Sequence, residues 1–384
     1  MNIVHCCLAA FYIDNYSYQE NILPKMHKMQ GHNVEIIAST ETYNSKKLIS
    51  YVKPSRYINE YDIPVCRLPY SRIPSLLARK LRIYRGLKKE LLRIKPDIIF
   101  LHDLQFLSIL TIAKYKMNCP HVKIYIDGHT DFINSAKSFI SKYILHGIVY
   151  RFCAKVIEKH VEKFWGVTPA RASFFSEMYG INPNKVGLLY MGADDSSFNL
   201  EDKFSIRKNF RQKYKIGEND LCIAFGGKID KRKNLSELLA VFESLENNVN
   251  IKLIVFGQPV REMVTVIEKI ALINNVKYMG WLEPSEVNEL LLSVDLVCFP
   301  GTHSILWEQS VGLGIPAIFK SWDGMRHLDV GGNCIFIENK SELEEALKLV
   351  LYNNEILMDL TLMAQKYGVK HFSYSNIAKK AIGI

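Results

Sequence analysis

Two α/β units, each built on a parallel sheet wound on both faces, are the fold class this sequence predicts. Three observations carry it. Short apolar runs alternate with helix-patterned stretches from residue 3 to residue 190. A polar, charged segment at 192–217 interrupts them, and a second alternation of the same kind begins at Leu221. Strands alternating with helices are the pattern of βαβ units, whose crossovers cover both faces of a parallel sheet. A chain of 384 residues with 48% hydrophobic content is long enough for two such cores. The expected division is 1–205, 206–366, and a C-terminal helical segment, 367–384, packing back on the first domain.

The elements follow in order. Residues 3–10 are a first strand, 14–18 a polar loop, 20–29 a helix stopped by Gly31-His32, and 34–38 the next strand. Residues 65–68 form a short strand, followed by a basic helical stretch. Strand 98–101 and helix 106–115 lead to strand 122–126, which ends in Asp127-Gly128-His129-Thr130-Asp131. Residues 135–162 are helical, and 164–167 and 186–190 are further strands. In the second half the strands are 221–225, 251–256, 276–278, 296–299, 317–319 and 334–337, with helices at 341–351, 355–367 and 375–381. In paired sheets of this kind, ligands bind in a cleft at the carboxyl ends of the strands.

Composition narrows the class. No run approaches 18 uninterrupted apolar residues, so no membrane-spanning helix is expected. The first residues lack a basic n-region and read as a strand, not a signal peptide. Eight scattered cysteines without zinc spacing suit reduced core residues of a cytoplasmic protein, and no metal site is expected. The net charge is +10, and ten basic residues face one acid, Glu90, between Arg67 and Lys95, threaded by leucines at helical spacing. Such a helix suits an anionic membrane surface at the inner face of the plasma membrane. No recognition motif accompanies the charge, so nucleic acid is not expected.

Two stretches carry chemistry. In 221–239 a buried strand runs into Gly226-Gly227, then a basic loop with Lys228, Lys231, Arg232 and Lys233, then a helix. Free N–H groups and the helix dipole make such a turn an anion site, and lysines there neutralise phosphate. In 300–316 a strand ends at Pro300, turns through Thr302, His303 and Ser304, and enters a helix whose start is a second expected anion site. Glu308, one turn inside, is suited to accept hydrogen bonds from a vicinal diol such as a ribose.

These residues resemble the retaining, family 4-like glycosyltransferases of the GT-B fold (glycosyl transferases group 1), and the resemblance covers nearly the whole chain. Gly227-Lys228-Ile229 with Lys233-Asn234 looks like the family's GRL…KG turn, whose basic residues hold the donor diphosphate. Gly280-Trp281-Leu282 falls where the family contacts the nucleotide base. Glu308 through Pro316 resembles the "EA…G.P" helix, whose glutamate binds ribose. Met191-Gly192-Ala193-Asp194 with Phe198 is similar to "NGVD…F", and Gly31-His32-Asn33-Val34 to "GHEV". Two departures stand out. The earlier glutamate that touches the transferred sugar is missing, with Thr302-His303-Ser304 in its turn, and the glycine pair after the first strand is replaced by Asn15-Tyr16-Ser17-Tyr18.

The resemblance implies a metal-independent retaining transferase that moves a sugar from a nucleotide diphosphate donor to a glycan or lipid-linked acceptor, in cell-surface polysaccharide synthesis. No resident cofactor is expected, since the nucleotide sugar is a co-substrate. Lys228, Lys233 and His129 are the expected catalytic residues. Gly227, Trp281, Leu282, Thr302, His303, Ser304 and Glu308 are expected to bind donor, with Asp127, Asp131 and His102 on the acceptor side. A nucleotide-sugar epimerase of the same fold, or a non-catalytic partner, is the alternative.

Overall fold

The computed structural model describes residues 1–44, 48–132, 134–196, 202–245 and 250–384. The chain divides into two units, Met1–Tyr190 with Ile377–Ile384, and Met191–Asn376.

The strands of the first unit are β1 (Asn2–Cys7), β2 (Asn33–Ala38), β3 (Glu41–Tyr43), β4 (Ile49–Tyr51), β5 (Ser55–Ile58), β6 (Pro64–Arg67), β7 (Ile98–His102), β8 (Lys123–Gly128), β9 (Lys163–Gly166) and β10 (Val186–Leu188). Eight of them form one sheet in the order β10-β9-β8-β7-β1-β2-β6-β5, with β3 and β4 paired separately. All neighbours in the sheet are parallel except β5, which runs antiparallel to β6. From β1 the chain winds outward through β2 on one side, then returns to place β7 on the other. The carboxyl ends of β1 and β7 are therefore a topological switch point, where such sheets leave room for a ligand. The central strands β1 and β7 are mostly apolar because both of their faces are covered, with Asn2 at the start of β1 and His102 at the end of β7. The one polar intrusion inside β1 is His5, fully buried.

The second unit carries β11 (Leu221–Gly226), β12 (Ile251–Phe256), β13 (Val276–Tyr278), β14 (Leu296–Phe299), β15 (Ala317–Lys320) and β16 (Cys334–Ile337). Their order is β13-β12-β11-β14-β15-β16, all parallel. The switch point here lies between β11 and β14. The two chemistry-bearing stretches of the sequence leave these two strands, so topology alone makes them neighbours.

Three expectations need correction. The basic stretch 67–95 is not one helix but two, Ser75–Lys80 and Leu87–Ile94. Several of its charges are already used: Arg67 is buried in β6 and bonds Tyr12 O, Ser39 O and Asp14, while Arg93 pairs with Glu35 and Glu90. The polar segment 192–217 contains a helix, Lys203–Tyr214, pinned to the sheet by Arg207 and Arg211, which bind the two oxygens of Asp295 at 2.5 and 2.6 Å. The boundary lies at residue 190 rather than 205. Ala193 bonds Phe372 O and Tyr374 N, and Asp195 takes the Ser373 hydroxyl at 2.6 Å, fastening 193–195 to 372–375 within the second unit. The last eight residues, Ile377–Ile384, count with the first unit. Phe198 lies outside the described residues.

Candidate functional site

Each unit gathers polar groups at its own switch point. In the second unit, β11 ends at Gly226 and the chain turns through Gly227 at φ 106°. Gly257 packs so closely there that a Cβ on it would meet Gly227 O at 1.9 Å. Residues Lys231–Lys233 make one 3₁₀ turn, and Asn234, at φ 56°, starts the helix Leu235–Ser244. The turn is locked to the loop after β14. Asn234 Nδ2 donates to Pro300 O at 3.0 Å, Thr302 N donates to Arg232 O at 2.9 Å, and a Cβ on Gly301 would sit 2.3 Å from Arg232 O.

The lysines of this turn differ. Lys228 is exposed at the mouth of an open depression of about 810 Å³ that it shares with Lys231, Arg232, Arg261, Asp230 and Glu262. Lys233 is part-buried and donates to Thr302 O at 2.6 Å and His303 O at 3.1 Å. Burial lowers its pKa to about 8, against the opposing pull of Asp230. The next helix, expected to start near Thr302 to Ser304, starts later. That helix, Leu306–Gly312, begins beyond the turn and has only seven residues, and Thr302 and His303 point carbonyls, not amides, at Lys233. Ser304 Oγ is buried without a hydrogen-bond partner among the described residues.

Glu308 is fully buried. His303 Nε2 lies 2.9 Å from each of its oxygens, and His327 Nε2 lies 3.2 Å from Oε1. Burial pushes its carboxyl upward, but the two histidines outweigh that and hold it at about 2. His303, at 21% exposure, is the more open partner, so an incoming diol would have to displace it. His327 follows β15 in a short turn, and nothing in its local sequence marks it. Trp281, expected near the base, follows Gly280 (φ 74°) and is 56% exposed, with Leu282 half-buried beside it.

In the first unit, β7 delivers His102 and Asp103, β8 delivers Asp127, and His129 follows. His102 and Asp127, both expected on the acceptor side, are fully buried. Asp127 Oδ2 lies 2.9 Å from His102 Nδ1, 2.9 Å from Gln19 Nε2 and 3.4 Å from His129 Nε2. Asp131 is not on His129. It lies 3.5 Å from Arg171 and caps Asn134 N at 2.7 Å. Asp103, in the left-handed region at φ 65°, holds the His129 backbone N–H instead. Burial alone would lower the His129 imidazole, but Asp127, Glu20 and Asp103 raise it to about 9. That shift favours the charged imidazolium at neutral pH.

A buried chain extends behind this group. His102 Nε2 meets His5 Nδ1 at 3.0 Å, His5 Nε2 meets His27 Nδ1 at 3.0 Å, and His27 Nε2 donates to Ala378 O at 2.8 Å. A carbonyl only accepts, so the four contacts from Ala378 O to Asp127 need four protons, one more than three neutral imidazoles supply. Burial keeps the His5 pKa well below the ordinary histidine value and that of His27 at about 4. Burial would raise Asp127, yet His102 and His129 hold it well below the usual carboxylate range. The additional proton therefore belongs to the His102–Asp127 link. Sequence reading missed His5, His27, Gln19 and Glu20. The available signals were a histidine inside an apolar strand and a polar triplet, Gln19-Glu20-Asn21, opening a helix that buries all three.

Among the described residues, Glu20, His102 and His129 have the makeup of a metal site, with ligand atoms within 4.8 Å of one another. His102 does not fit that role as it stands, because both its ring nitrogens are engaged by His5 and Asp127.

The fold is that of GT-B glycosyltransferases. It resembles sucrose-phosphate synthase from Thermosynechococcus elongatus, 12% identical, TM-score 0.66, covering 99% of this chain and 97% of that one. It also resembles HepE of Anabaena in complex with UDP, 14% identical, TM-score 0.65, covering 99% and 98%. Residues 206–366, which hold the glycine–lysine turn and Glu308, match the family described as glycosyl transferases group 1. An uncharacterized glycosyltransferase of Methanocaldococcus jannaschii is 20% identical over 211 residues, 52% of this chain. That match spans about half the length of the relative (54%).

Proposed function

We propose that this protein is a retaining glycosyltransferase that takes a sugar from a nucleoside diphosphate donor and adds it to a glycan or lipid-linked acceptor in cell-surface polysaccharide synthesis. The observation that carries the proposal is the turn after β11. There, Gly227 lets the backbone approach a ligand, and the exposed Lys228 and part-buried Lys233 bring two cations to one strand end. The UDP held by HepE makes a nucleoside diphosphate the natural occupant to test.

Cleavage of a sugar–diphosphate bond leaves negative charge on the departing phosphate. A fixed cation that meets this charge lowers the barrier, and removing one such donor costs on the order of 3–4 kcal/mol. Lys233, with a pKa of about 8, is mostly charged at neutral pH, and a diphosphate beside it would raise that value further. The resemblance gives Glu308 the ribose, with His303 moving aside, and gives Trp281 and Leu282 the base. His129, as a cation held by Asp127, supplies charge beside the transferred sugar, so no added metal is needed for that role. The exposed cations of the first unit favour work at an anionic membrane surface.

The test is turnover with UDP-, GDP- and ADP-sugars and a lipid-linked acceptor extract, reading the product anomer by NMR. Transfer with retained configuration, cut about a hundredfold or more by Lys228→Ala, is the expected result. Donor epimerised without transfer would replace this reading by that of an epimerase, and nucleotide binding without turnover by that of a non-catalytic partner.

A further inference from the structure

The helical run Ile140–Tyr150, continued by Arg151–Glu158, already has a core-facing stripe, since His146, Tyr150, Cys153, Ala154 and Ile157 are all buried. A helix with one such stripe ordinarily turns a polar face to water. This one does not. Phe139, Ile140, Tyr143, Ile144, Ile148 and Phe152 lie on its other side, each between 45% and 73% exposed. Residues Ile140–Tyr150 form a π-helix, and it is the exposure of these side chains that sets them on the side away from the core. On the helix Ser75–Lys80, Leu76 and Leu77 are likewise 74% and 49% exposed. Tyr150 ties the two helices together by donating to Lys80 O at 2.9 Å.

Several large apolar side chains exposed together along one helical run mark a docking face. Its charge says for what. Between Asp131 and Glu158 the chain has no acid, but it has Lys137, Lys142, Arg151 and Lys155, of which Lys155 pairs with Glu158 at 2.9 Å, and the helix Ser75–Lys80 adds Arg79 and Lys80. A second copy of this chain would bring cations against cations, which disfavours self-association through this face.

We propose that this face of the first unit seats in an anionic lipid surface. The run 139–152 would lie in the interface plane, its exposed apolar side chains among the acyl chains and its lysines and arginines against the headgroup phosphates. The proposal rests on the membrane reading above and places the contact at residues 137–155 and, of the basic stretch 67–95, at 75–80 alone.

The experiment is co-sedimentation of the full chain with vesicles of phosphatidylcholine alone and with added phosphatidylglycerol. The native protein is expected to bind the anionic vesicles. The triple variant Ile144→Ser, Ile148→Ser, Phe152→Ser is expected to lose about tenfold or more of that binding, whereas Lys88→Gln with Lys89→Gln changes it by about twofold or less. The substituted side chains are exposed, so folding is not at stake, and an Ile148→Trp variant gives an independent reading by a blue shift of emission on anionic vesicles. Lys228→Ala must bind vesicles like the native protein, which separates failure of this proposal from failure of the donor assignment. Unchanged binding by the triple variant, indifference to lipid charge, or an unshifted tryptophan would overturn it. So would a native dimer that the triple variant dissolves, which would make the face a protein interface.

Discussion

A carboxylate held by two histidines occurs twice in this chain, as Asp127 with His102 and His129, and as Glu308 with His303 and His327. In both, burial that would otherwise protonate the acid is overcome by the histidines. The consequence for His129 can be read from pH. Its folded pKa, about 9, lies above its ordinary value of 6.5, so the stability it contributes is fully present below pH 6.5 and is lost as pH rises through about 9. Thermal melts of the native protein should fall across that window and those of His129→Gln should fall less, so equal slopes would remove the ion pair. The histidine chain makes a second prediction. Nitrogen-15 NMR of the imidazoles should show both His102 nitrogens protonated, with His5 and His27 neutral and protonated at Nε2. A neutral His102 would mean that the proton sits on Asp127, or that one of the four contacts is not formed.

The loops after β11 and β14 were legible as anion-binding stretches because glycine, lysine and a following helix occur together. Their mutual locking was not. It depends on backbone contacts such as Thr302 N to Arg232 O, which no side-chain pattern reports. Gly301→Ala tests it. The added Cβ would fall 2.3 Å from Arg232 O and 2.4 Å from Lys233 Cα, both backbone atoms, so the loops must part. A loss of about 1–3 kcal/mol in stability is expected in urea unfolding, with weakened nucleotide binding, and an unperturbed variant would show that the loops are not coupled. The helix Lys203–Tyr214 was hidden for a different reason. Its face toward the sheet is made by arginines seeking Asp295, so it carries little apolar periodicity and reads as linker. The single basic helix over 67–95 failed in the opposite way, because its leucine spacing runs through Arg82, at φ 52°, and Gly86, at φ 88°, where the backbone leaves the helix.

The two sheets followed from the sequence because strand and helix alternate through most of the chain, but β3, β4 and the antiparallel β5 between residues 41 and 58 did not. The division between the units did not, since 191–196 is claimed by contacts with residues 180 positions away, as in Ser375 N to Asp195 Oδ1. What the second unit does with a diphosphate is the centre of the account, and calorimetric titration with UDP, GDP and ADP reads it most directly. At least one of the three should bind the native protein. Lys228→Ala should weaken that affinity about tenfold or more, the worth of one charge-assisted contact, without altering the melting temperature, because this lysine is exposed. Affinity unchanged by that substitution, or no binding of any of the three nucleotides, would contradict the assignment of the turn after β11 as the donor site.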